Sequence, residues 1–123
     1  MSGPVKLKRG FVPGTYAEIR IWIRDTTSPY VPIIIAPNTT VRLDKYRGMW
    51  SCVYRFYRTD ILTLVQDGSI VINSANMSKT TKSRIDQFLK PLDFRVYTKN
   101  RVHYLEGLGE SVPIIKTIQR FQR

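Results

Sequence analysis

The chain has 123 residues, of which 42% are hydrophobic, and its 20 Lys and Arg against 9 Asp and Glu give a net charge of +11 at pH 7. This length accommodates one domain with a modest core, and the longest apolar run, at residues 33–36, is too short to cross a bilayer. Such a charge excess favours a polyanionic partner, although a basic protein whose charge only keeps it dispersed would have the same composition.

Residues 1–14 are predicted to form a basic arm. They contain Lys6, Lys8 and Arg9 without any acidic residue, and five Gly or Pro residues interrupt them. No regular element is therefore expected there. The arm can lie along nucleic-acid phosphates or remain a solvated tail, and both interpretations stay open. The remaining residues, 15–123, are predicted to form a single α+β domain.

Alternation of apolar and polar residues predicts several strands in the first half of the domain. Residues 15–24 alternate strictly, residues 31–36 form a short apolar run that Pro32 and Pro37 confine to a sheet edge, and residues 39–44 continue the pattern. Residues 50–66 are rich in β-forming residues and predict two strands with a bend between them. Asp67-Gly68 then predicts a tight hairpin that leads into a returning strand.

Residues 76–92 have the clearest helical period in the chain. Ile85, Phe88, Leu89 and Leu92 fall on one apolar stripe, which predicts a helix over about 80–92 packed on the sheet. The start of this helix carries hydroxyls suited to an N-cap together with cations that oppose the helix dipole. These residues are Ser78, Lys79, Thr80, Thr81, Lys82 and Arg84. A bound anion such as phosphate would remove the conflict, so the helix start is a candidate site.

A second hairpin and a second helix are predicted after this segment. Residues 94–97 and 101–105 flank Thr98-Lys99-Asn100, a basic hairpin tip. From Pro113 onward, apolar residues recur with a helical period. The predicted fold class is therefore α+β: a small curved antiparallel sheet of about five to seven strands, with one packed helix at about 80–92 and a C-terminal helix at about 113–122.

Several short motifs in residues 55–106 resemble those of a group of small tailed-phage proteins. The resemblance lies in the Asp67-Gly68 hairpin, in the helix start at residues 80–86 (Thr-Thr-Lys-Ser-Arg-Ile-Asp) and in the terminal hairpin. The chain departs from the group at residues 75–77, where the group has a Gly-Gly-Trp-like loop, and at Asp86, where the group has Asn. The resemblance implies a viral origin and a compact α+β unit, and it supplies no catalytic residue.

The sequence offers no constellation for catalysis or metal binding. His103 is the only His, Cys52 is the only Cys, and the Asp residues are scattered singly at turns or on a helix face. We therefore expect a non-enzymatic protein without a metal or cofactor. The single Cys also excludes an internal disulfide and favours a location in the host cytoplasm or in a virion.

The favoured hypothesis is a phage-encoded, non-catalytic protein that binds DNA or RNA through phosphate contacts. The candidate contact residues are Lys79, Thr80, Thr81, Lys82, Arg84, Lys99, Arg101, Arg47, Arg58, Lys6, Lys8 and Arg9. Interleaved aromatic residues can stack on unpaired bases, namely Tyr46, Trp50, Tyr54, Tyr57, Tyr97 and Tyr104. Their alternating placement along strands also predicts that some of the tyrosines belong to the core.

The alternative is a virion structural or assembly protein, or an inhibitor that binds an acidic host protein. An exposed apolar edge near residues 33–35 would suit that function, since edge strands pair with other chains. An oligomer is compatible with either hypothesis, and no membrane partner is expected.

Overall fold

The computed structural model describes residues 5–6, 30–75 and 77–122. Sheet A consists of β1 (Val5–Lys6), β2 (Ile33–Ala36), β3 (Thr39–Tyr46), β4 (Met49–Phe56), β5 (Thr59–Val65), β6 (Ile70–Asn73) and β10 (Ile118–Phe121), in that spatial order. Sheet B consists of β7 (Arg95–Lys99), β8 (Val102–Gly107) and β9 (Glu110–Pro113). Between β6 and β7 in the sequence lie the helix α1 (Lys79–Leu89) and a 3₁₀ helix (Lys90–Leu92). The predicted α+β class is confirmed.

Strands β2 to β6 form an antiparallel meander joined by short turns. Arg47 and Gly48 turn the chain with φ of 50° and 81°, as a two-residue hairpin turn requires. At the predicted Asp67-Gly68 hairpin, the Asp67 carboxylate accepts the Ser69 N–H at 2.8 Å, which fixes the turn locally. These hairpins hold the strands in register, so that alternate residues form one apolar face.

Helix α1 packs its apolar stripe on that face. Ile85, Phe88 and Leu89 are fully buried, and the Phe88 ring stacks on Tyr54 of β4 with centroids 4.3 Å apart. On its other side, the Asp86 carboxylate accepts the Val96 N–H of β7. The helix therefore joins sheet A to sheet B, and its predicted position is confirmed within a residue at its start. No helix in the described part of the chain is long and apolar enough to cross a membrane.

The predicted edge of the sheet differs from the observed one. Val5–Lys6 pairs in parallel with β2, so the expectation that the arm contains no regular element is wrong for these two residues. Ile33 and Ile35 are buried, and the predicted exposed apolar edge is therefore wrong as well. Pairing with β1 satisfies backbone groups that an edge would leave open. The predicted strand at residues 15–24 lies outside the described residues.

The predicted C-terminal helix at about 113–122 is wrong, because this segment forms the end of β9, a linker and β10. The Gln119 side chain accepts the N–H groups of Ile115 and Lys116 and donates to the Pro113 carbonyl, so it satisfies backbone groups that a helix would have paired internally. Strand β10 takes its backbone partners from β6. Of the apolar residues in this segment, Phe121 is buried in the core and Ile114 packs against it, whereas Ile115 and Ile118 are exposed.

Strands β7 to β9 form a separate sheet, sheet B, whereas the sequence predicted a single sheet. Leu108 and Gly109, with φ of 54° and 77°, reverse the chain so that β9 pairs with β8. The position before this turn is tightly packed, since a Cβ at Gly107 would overlap the Phe94 ring. Val96 and Leu105 connect sheet B to the common core.

Candidate nucleic-acid interface

The start of α1 is capped as predicted. Ser78 is the N-cap: its Oγ accepts the Thr81 N–H at 3.1 Å and lies 3.0 Å from the Thr81 hydroxyl. Thr81 is consequently buried, whereas Lys79 and Thr80 are exposed. The first turn contains no acidic residue. Its cations therefore still face the positive end of the helix dipole, which suits an anionic ligand.

Lys82 connects the helix start to the tip of the β7–β8 hairpin. Its Nζ donates to the Thr98 hydroxyl at 3.2 Å, and the same hydroxyl lies 2.8 Å from Nδ1 of His103. Lys79 is three residues earlier on the same side of the helix. Arg101 lies in the hairpin turn with φ of 66°. The structure therefore places Lys82 beside the end of β7 that leads into the turn with Arg101.

Lys99 belongs to the same tip but lies on the other face of β7. Val96 and Thr98 contact α1 through Asp86 and Lys82, and side chains alternate along a strand, so Lys99 points away from the helix. The tip thus carries cations on both of its faces. We call Lys79, Lys82, Lys99 and Arg101 the basic surface.

Arg84 and Thr80 lie on a different side of α1. The Arg84 guanidinium lies 5.9 Å from the centroid of the Phe56 ring and donates to Gln87 at 3.1 Å. Its side chain is half-buried, and Nε has no hydrogen-bond partner among the described residues. Arg84 is therefore less accessible to a polyanion than the exposed Lys79 and Lys99.

The other predicted contact residues are dispersed. Arg58 is exposed in the β4–β5 turn, at the end of sheet A from which the chain continues toward α1. Arg47 is in the β3–β4 turn at the opposite end, where its guanidinium covers the Tyr46 ring at 5.5 Å. Lys6 lies in β1, and Lys8 and Arg9 are outside the described residues.

The described ion pairs are concentrated on the two sheets. They are Arg42 with Asp44 and Asp60, Arg55 with Asp60, Arg95 with Glu106, and Arg120 with Asp67. None of the cations of the basic surface forms an ion pair with another described residue. The carboxylates thus neutralise arginines on the sheets and leave the helix start and hairpin tip positive.

The Asp60 carboxylate is the centre of one of these networks. It accepts both terminal nitrogens of Arg42 at 3.1 Å and Nε of Arg55 at 2.8 Å. Burial by itself would raise the pKa of Asp60, but the hydrogen bonds from Arg42 and then Arg55 outweigh it, so the pKa lies below the ordinary value of 3.8. The ionised network therefore stabilises the fold.

This network should make stability depend on pH. Because the pKa of Asp60 is lowered on folding, its contribution is present above pH 3.8 and is lost as the pH falls through the lower folded pKa. Asp60→Asn should therefore melt at a lower temperature than the wild type at neutral pH, and the difference should shrink in acid. Thermal unfolding followed by circular dichroism measures both. Asp93→Asn, at an exposed carboxylate without an ion pair among the described residues, is the control and should show no such convergence.

A cavity of about 380 Å³ opens between the β4–β5 turn and the start of α1. Its lining includes Phe56, Tyr57, Thr59, Asn73, Ser78 and Thr80. Two aromatic rings thus face several hydroxyl and amide groups in a recess beside the helix start.

Of the six aromatic residues predicted to stack on bases, five are occupied within the protein. Tyr54 is buried in the core, and Tyr97 and Tyr104 stack on each other with centroids 5.2 Å apart. Lys45 covers Trp50, and the guanidinium groups of Arg47 and Arg120 cover Tyr46. Tyr57 is 65% exposed and is the aromatic that remains available.

The described residues contain no cluster of three or more His, Cys, Asp or Glu side chains that could hold a metal ion. Cys52 is buried in the core, and burial raises the pKa of its thiol well above the ordinary value. A buried thiol of this kind is inert as a nucleophile at neutral pH.

Sequence reasoning missed Thr98 and His103, which link Lys82 to the hairpin, and the role of Asp86 in fixing α1 to β7. Each depends on the packing of the helix against sheet B, although a hydroxyl next to the basic tip was a visible signal.

Comparison with protein-family models, curated proteins and solved structures found no match.

Proposed function

We propose that this protein binds nucleic acid without catalysing a reaction, through phosphate contacts made by the basic surface. The observation that supports this proposal is the distribution of charge. Lys79, Lys82, Lys99 and Arg101 lie on two adjoining elements and have no described carboxylate partner, while arginines of both sheets are paired.

The geometry of this surface suits a phosphate backbone better than a single small anion. The Lys82–Thr98 hydrogen bond sets the helix start beside the hairpin tip, and Lys99 extends the positive charge around the tip. Such a surface can contact several successive phosphates and release their counterions, which provides most of the free energy of sequence-independent binding. Ser78 already caps the Thr81 N–H, so the contacts come mainly from side chains.

Fluorescence anisotropy with labelled single- and double-stranded DNA and RNA of equal length tests the proposal. If each cation of the basic surface contacts one phosphate, the logarithm of the association constant should fall with the logarithm of salt concentration, with a slope of about −3 to −4 between about 50 and 200 mM. Absence of binding, or binding that is independent of salt, would contradict the proposal.

Poly-L-glutamate serves as a matched polyanion, since it presents carboxylates in place of phosphates. It should compete weakly for the labelled nucleic acid. Competition as strong as that of unlabelled nucleic acid would show that the surface recognises acidic protein segments, and the proposal would then be wrong.

A further inference from the structure

The β4–β5 turn holds an aromatic ring toward solvent in an unusual backbone conformation. Tyr57 has φ of 56°, and its N–H donates to the Asn38 carbonyl at 2.7 Å. Its ring packs edge-on against Phe56, with centroids 4.7 Å apart at 68°, and remains 65% exposed. A bulky residue at positive φ is rare, and glycine would satisfy the same turn without strain. The turn and the Phe56 ring therefore hold the Tyr57 ring in place while one of its faces stays open to solvent.

The cavity beside this ring can receive a flat, polar molecule. Its volume of about 380 Å³ is at the lower end of the range for small-molecule sites. Asn73 uses its carbonyl oxygen to accept the Ala75 N–H at 3.0 Å, which leaves its amide NH₂ group as a donor. The hydroxyls of Thr59 and Thr80 form no hydrogen bond with another described residue. The cavity therefore combines an aromatic wall with donors and acceptors that suit the edge of a base.

Three cationic residues adjoin the residues that line the cavity. Arg58 directly follows Tyr57, Lys79 is next to Thr80 of the lining, and the Arg84 guanidinium lies over the Phe56 ring. Phosphates on either side of a base in the cavity would therefore meet cations, and the basic surface begins at the same helix turn. This charge favours a nucleotide of a continuous strand over an uncharged aromatic ligand.

We infer that the cavity takes one unpaired nucleobase, which stacks on Tyr57, so that the preferred ligand is single-stranded nucleic acid. The inference rests on the proposed function and makes it more specific. Bases of an intact duplex are stacked inside it and cannot enter, whereas the unpaired bases of either DNA or RNA can.

The test compares Tyr57→Leu with the wild type on a single-stranded oligonucleotide and on a duplex of equal length. Leucine keeps an apolar side chain but removes the stacking surface, so single-strand affinity should fall about tenfold while duplex affinity stays unchanged. Tyr57→Trp should preserve single-strand affinity. The same labelled oligonucleotide carrying abasic sites should bind the wild type about tenfold more weakly, a readout that needs no variant.

Tyr30→Leu is the matched control. Tyr30 is also an exposed tyrosine at positive φ, but its ring lies 5.7 Å from Trp50, away from the cavity. This control should leave both affinities unchanged. Salt-dependent binding that is insensitive to Tyr57→Leu and to abasic sites would overturn the inference and leave the proposed function standing. If the wild type binds neither ligand, the proposed function itself fails, and the inference fails with it.

Discussion

Replacing Lys79, Lys82 and Arg101 together with glutamine should reduce the affinity for duplex DNA on the order of 500-fold at about 0.1 M salt. Each phosphate contact contributes about 0.9 to the exponent with which duplex affinity depends on salt concentration. Loss of three contacts therefore lowers the association constant at about 0.1 M salt, relative to 1 M salt, by a factor of about 10 to the power 2.7, which is about 500. The slope of the salt plot should become shallower by about 2.7. Anisotropy titrations at several salt concentrations measure both quantities.

A control variant with Lys45, Arg47 and Lys90 changed to glutamine has the same net charge as the first triple variant. These residues are exposed and lie away from the basic surface: two are at the other end of sheet A, and the third follows the end of α1. Its affinity and salt slope should stay close to those of the wild type. Equal losses in the two variants would mean that net charge, without a defined surface, governs binding. Arg84 is left unchanged in both variants because it is half-buried and lies over Phe56, a residue of the cavity lining.

Phe88→Ala should produce the largest loss of stability of any change considered, about 3–5 kcal/mol. Phe88 is fully buried, and its ring stacks on Tyr54 at the contact between α1 and sheet A. Truncation removes the buried ring and leaves a cavity that the strands cannot close. Urea denaturation followed by circular dichroism gives the free energy of unfolding and tests the value.

Two further variants are controls for the loss of stability expected from Phe88→Ala. Phe88→Leu keeps much of the buried volume and should lose clearly less than Phe88→Ala. Ser83→Ala, at an exposed position of the same helix, should change stability by no more than about 0.5 kcal/mol. A loss below about 1 kcal/mol for Phe88→Ala would contradict the packing of α1 on sheet A.

The elements that could be predicted from the sequence are those with local determinants. The α1 stripe and the Ser78 cap lie within a few turns of one another, and the Asp67-Gly68 turn is fixed by its own side chain. The C-terminal segment could not be predicted in this way, because β10 depends on β6 and Arg120 pairs with Asp67, 53 residues away. An isoleucine-rich segment with mixed spacing adopts whichever structure its distant partner provides.

The candidate site was predictable in composition but not in arrangement. Lys82 and Arg84 are two residues apart, and helical geometry turns such positions about 200° from each other, so one faces the hairpin and the other faces Phe56. The adjacency of Lys82 and Thr98 follows from the packing of α1 against β7. The sequence shows a hydroxyl beside the basic tip but does not indicate which residue it meets. Tyr54 is buried because it lies within β4, whereas Tyr57 is exposed because it lies just beyond the end of that strand, in the β4–β5 turn. The sequence does not define that boundary.

The strand order of sheet A has a consequence for synthesis of the chain. The meander from β2 to β6 can assemble while translation continues, because each strand pairs with the one made just before it. Strand β10 covers the open side of β6 and is the last described strand to leave the ribosome. Until then, β6 presents unpaired backbone groups to other nascent chains, so slow translation of residues 74–117 should favour aggregation during expression.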